Sequence, residues 1–67
     1  METIVDQLLK EIDRVREIYV VYKNIGAAGE LAANEMRKDM ILAEQALANG
    51  DVIKIITAYK NLQEYSS

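Results

Sequence analysis

Three glycines, at positions 26, 29 and 50, are the only strong helix breakers in a chain of 67 residues that contains no proline. They fall in two clusters and cut the sequence into three pieces. Each piece carries apolar residues at alternating spacings of three and four, the period of one helix face. In the first, Val5, Leu8, Ile12, Val15, Tyr19 and Tyr22 form such a seam, which Ile4, Leu9, Ile18 and Ile25 widen. In the second, the seam is Ala33, Met36, Met40, Ala43 and Leu47. In the third it is Val52, Ile55, Tyr59 and Leu62, with Ile56 beside it.

Local signals set the ends. Thr3 with Asp6 three residues on resembles a capping box, and Asp6–Lys10 is an ion pair in the favourable order. Asn24–Gly29 reads as a loop, with Gly26 suited to a left-handed position after the first helix. Glu30 places negative charge in the first turn of the second helix, and Lys23 complements the dipole at the end of the first. Asn49 and Gly50 end the second helix, and Asp51 is a natural N-cap for the third. Helices are expected over residues 3–24, 30–48 and 52–65, with Ser66 and Ser67 frayed. No strand pattern is present. The fold class is all-α: one domain over 1–67, a long antiparallel helical hairpin plus a shorter third helix.

The run Ile18-Tyr19-Val20-Val21-Tyr22 breaks the amphipathic pattern. Successive helical residues turn by about 100°, so five apolar neighbours cover more than one face. The third helix, about 14 residues or 21 Å, is too short to run the length of the hairpin. The hairpin tip is therefore left open. Ile18, Tyr19, Val20, Val21, Tyr22 and Ile25 are the candidate protein-interface residues. Tyr19 and Tyr22 lie in the core seam and suit a wet rim with their hydroxyls. Val20 and Val21 lie off the seam.

A chain this short buries only about 60% of its unfolded surface and usually needs reinforcement. Cysteine and histidine are absent, which removes disulfides and the usual zinc ligands. Self-association is the remaining support, and a two-fold homodimer is the commonest form. The same absences leave no nucleophile–base pair, so no enzyme, no cofactor and no metal site is expected. Glu35 and Asp39, one helical turn apart, read as a solvated acidic face. With 11 acidic against 8 basic residues, the chain lacks the positive field of a nucleic-acid binder. No stretch is long enough to cross a membrane, and the acidic start is unlike a signal peptide. A soluble, cytoplasmic protein is the expectation.

Residues Ala43–Asp51 followed by Ala58–Leu62 resemble the helical hairpin of a tetratricopeptide repeat. A single copy cannot build a solenoid, so the likeness is one of hairpin chemistry. The pieces Asn24–Gly29, Ala43–Val52 and Ala58–Leu62 resemble short all-helical accessory proteins of bacteriophages and prophages. That resemblance implies stoichiometric binding to a larger host protein, as in inhibitors of bacterial defence systems, anti-CRISPR proteins among them. Two other functions compete with it. One is an obligate helical dimer that serves as an assembly adaptor. The other is a small-ligand-binding regulatory protein with an inter-subunit site near Tyr59, Lys54, Glu35 and Asp39.

Overall fold

A computed structural model describes residues 2–66, and among these all regular structure is α-helical. The three helices are α1 (Ile4–Ile25), α2 (Ala27–Asn49) and α3 (Val52–Gln63). The expected fraying of Ser67 lies outside the described residues. No described helix is long and apolar enough to cross a membrane.

The starts of α1 and α3 follow side-chain chemistry. The Asp6 N–H donates to Thr3 Oγ1 at 3.2 Å, and the Thr3 N–H donates to Asp6 Oδ2 at 3.2 Å. Two of the backbone donors that a helix start leaves orphaned are thereby satisfied. This engagement removes Asp6 from the expected pair with Lys10, whose ammonium instead meets Glu2 at 3.0 Å. At the other turn, Gly50 is left-handed (φ 66°, ψ 25°), and its N–H donates to Leu47 O. The Asp51 N–H reaches back to Ala46 O, completing a Schellman closure. Asp51 then caps α3 by accepting from the Lys54 N–H at 3.2 Å.

The first turn differs from expectation. Instead of a loop over residues 24–29, a single residue, Gly26, separates α1 from α2, with φ 89° and ψ −142°. That backbone region is open to glycine and strained for other residues. Ala27 and Ala28 are good helix formers and belong to α2. Gly29 is no breaker at all. It lies inside the first turns of α2, buried, where a Cβ would overlap the Tyr22 carbonyl of α1. Its lack of a side chain lets two helix backbones touch directly beyond a one-residue hinge.

The core is a single cluster in which Leu8, Ile12, Val15 and Ile18 of α1 face Met36, Met40, Ala43 and Ala46 of α2. Ile55, Ala58 and Leu62 of α3 close it. Large side chains on α1 meet small or flexible ones on α2, which allows close interdigitation. The seams drift from the strict heptad, because an undistorted helix gains about 20° on it per repeat. Val5 and Val52 therefore turn outward, Leu47 is only part-buried, and Ile18, Ala46 and Ala58 take core places.

The lengths are unequal: 22 and 23 residues in the hairpin against 12 in α3. The molecule measures 37 × 21 × 16 Å, with a radius of gyration of 12.1 Å. A compact domain of this size has about 10.9 Å. The excess comes from the hairpin projecting beyond α3.

Candidate protein-interaction surface

The end of α3 is held by side chains of both other helices. Arg14 of α1 donates through Nη1 to Tyr65 O at 2.7 Å and through Nη2 to Leu62 O at 2.9 Å. Leu62 O is among the last carbonyls of α3, which lack intrahelical donors, and Tyr65 O lies two residues beyond the helix end; a guanidinium there also complements the dipole. Glu11 aims the guanidinium by accepting from Nε at 2.8 Å. On the other side, the Tyr65 hydroxyl donates to Asp39 Oδ2 of α2 at 2.6 Å. Sequence reading missed both contacts. Arg14 and Tyr65 are 51 residues apart, and no spacing rule links them.

Burial and the bond to Asp39, reinforced by the negative field of Asp39, Glu35 and Glu64, push the Tyr65 hydroxyl well above the ordinary phenol range. The fold thus favours the neutral phenol. Its contribution is complete below about pH 10, where an unfolded tyrosine titrates, and declines as pH rises beyond that. Tyr65→Phe should lower stability by about 1 kcal/mol at neutral pH. It should also flatten the loss of stability above pH 10 relative to wild type. Urea titrations of both proteins at pH 7 and pH 11 check this.

Arg14 marks where α3 stops. From there α1 continues eleven more residues to Ile25, about 16 Å. Arg14, Ile18, Val21 and Ile25 follow one another at spacings of 4, 3 and 4, so they lie on one stripe of α1. Asp39, Glu35, Ala32 and Ala28 repeat the same spacings toward the tip on α2. Each stripe begins at a residue that holds the tail of α3 and continues along the line α3 would have followed. Between them runs an open lane.

The five-residue apolar run does not form one surface. Ile18 is 5% exposed and belongs to the core, which takes it away from any partner. Tyr19 and Tyr22 are part-buried and pack against the core cluster. Val21 and Ile25, 58% and 57% exposed, lie on the lane. Val20, 50% exposed, falls on another stripe, in register with Leu9, Asp13 and Arg16. Leu31 of α2 stands at the same end and is 78% exposed. The third helix seals none of the three exposed α1 residues.

A second surface, on the outer side of α2 and α3, was not foreseen. Two adjoining grooves there share Leu42 and Gln45. One, on α2, adds Asn34, Arg37, Lys38 and Ile41. The other, between α2 and α3, adds Ala46, Asn49, Lys54, Thr57, Ala58 and Asn61. No acidic residue lines either.

Among the described residues, no group of three or more metal-ligating side chains converges. Glu35 is exposed, and Asp39 is taken up by Tyr65. No buried side-chain polar atom among the described residues lacks a hydrogen-bond partner. No family model, curated protein or solved structure matches the chain.

Proposed function

We propose that this chain is a non-enzymatic helical binding module that pairs with a second copy of itself through the hairpin tip and acts by occupying a surface of a larger protein. The observation that carries the reading is the open lane beyond Arg14, with Val21 and Ile25 along it and Leu31 beside it. Leaving such side chains in water forgoes roughly 1.5–3 kcal/mol each. A two-fold dimer uses one patch twice, so each tip covers the open lane of its partner. The likeness to phage and prophage accessory proteins favours a stoichiometric inhibitor of a host protein or defence system, anti-CRISPR-like in mode.

Sedimentation over a concentration series tests self-association. The wild type should pass from monomer to dimer as concentration rises, and Val21→Asp should raise the dissociation constant on the order of 100-fold while the chain stays helical. Val20→Asp, on the neighbouring stripe, should have the smaller effect. A wild type that remains monomeric throughout, or a Val21→Asp variant that dimerises unchanged, overturns the reading. The same series separates an inhibitor with its own core, which keeps its helicity on dilution, from an obligate adaptor dimer, which loses it.

A further inference from the structure

We infer that the outer face of α2 and α3 docks an acidic amphipathic helix of a partner protein. Charge is segregated there. The chain as a whole is net −3, yet the two adjoining grooves present Arg37, Lys38 and Lys54 and no carboxylate. None of these three cations is in an ion pair among the described residues, nor are Lys23 and Lys60 outside the grooves, whereas Lys10, Arg14 and Arg16 each are; what distinguishes the three is that they share one face without a carboxylate lining it. All three are exposed. An anionic partner would find them free, and complementary fields of this kind steer encounter and set orientation.

The floor between the cations is apolar. Ile41 and Leu42 are 42% and 48% exposed, and Leu42 lies at the junction of the grooves. The rim carries amides at Asn34, Gln45, Asn49 and Asn61, whose side chains make no hydrogen bond within the described chain. Half-exposed apolar residues, free amides and uncompensated cations match the three parts of a helix-in-groove site: anchors, rim and charge. From Asn34 to Asn49 the face runs about 22 Å along α2, the length of about four turns of helix. Nucleic acid is also anionic. Here it meets only three cations on a net-acidic domain, and no aromatic residue lines the grooves for a base to stack on. The acidic helix is the better match.

This surface lies apart from the tip lane, so the two can be tested separately. The probe is a 15-residue helical peptide with leucines at i, i+3, i+7 and i+10 and glutamates on the flanks. A glutamine-for-glutamate version and a single-stranded oligonucleotide serve as comparisons. Backbone amide shifts on addition of the glutamate peptide should map to residues 34–49 and 54–61. Affinity should fall at least tenfold for Arg37→Glu/Lys38→Glu and at least fivefold for the glutamine peptide. It should stay unchanged for Val21→Asp, whatever that variant does to self-association. Circular dichroism establishes that the charge-reversed variant remains folded. Shifts confined to the hairpin tip overturn the inference, as do equal binding by the charge-reversed variant and tighter binding of the oligonucleotide than of the glutamate peptide.

Discussion

Gly29→Val should destabilise the protein by on the order of 3 kcal/mol, although glycine within a helix is normally the weaker choice. The first added atom would overlap the Tyr22 carbonyl, and the Tyr22 carbonyl carbon and Cα are 3.0 and 3.2 Å from the same point. All three are backbone atoms of α1, so no rotamer change relieves the overlap. The helices must separate, and Gly26 leaves only one residue in which to absorb the shift. Small domains are stable by about 3–10 kcal/mol, so the loss is a large share of the whole. At about 4–8 °C per kcal/mol, Tm should fall by about 12–24 °C in a thermal melt followed by circular dichroism. Gly29→Ala should show the same sign with a smaller loss, because the helix propensity of alanine returns about 1 kcal/mol. A Gly29→Ala protein more stable than wild type would mean that the helices do not touch at this point.

Leu62→Ala should cost about 2–5 kcal/mol, the range for emptying a well-packed core site. Leu62 is among the largest fully buried side chains, and it sits in the last full turn of α3. Its carbonyl is also one of the two that Arg14 holds. Removing the side chain leaves a cavity beneath the point where α3 is fastened, so the tail should loosen as well. Denaturant titration gives the stability, and amide exchange at residues 62–65 gives the loosening. Val52→Ala on the same helix is the comparison. Val52 is 59% exposed, and its substitution should stay within about 0.5 kcal/mol. The two positions look equivalent in sequence, as members of one seam, and only Leu62 faces the core.

That contrast shows how far the sequence reading reached. The three amphipathic segments, the Thr3 and Asp51 caps and the turn at Gly50 were legible because each depends on residues within four or five positions of one another. Gly29 was misread because a glycine that breaks a helix and one that lets two helices touch leave the same letter. The hydroxyl of Tyr65, the guanidinium of Arg14 and the carboxylate of Asp39 meet across three helices, and no local pattern anticipates their meeting. The apolar run at 18–22 did point to the tip. Its division into a core isoleucine, two part-buried tyrosines, one valine on the lane and one beyond it depends on helix rotation. Neither the run nor its neighbours in sequence fix that rotation.

By itself the sequence determined an all-helical chain of two long rods and one short one, since breakers and apolar period act over a few residues. Tertiary structure alone decided which faces turn inward, where α3 stops and how charge is sorted over the outside. Those outcomes depend on how three rods pack together, with backbone contact at Gly29 and a guanidinium clamp at Arg14 setting the distances.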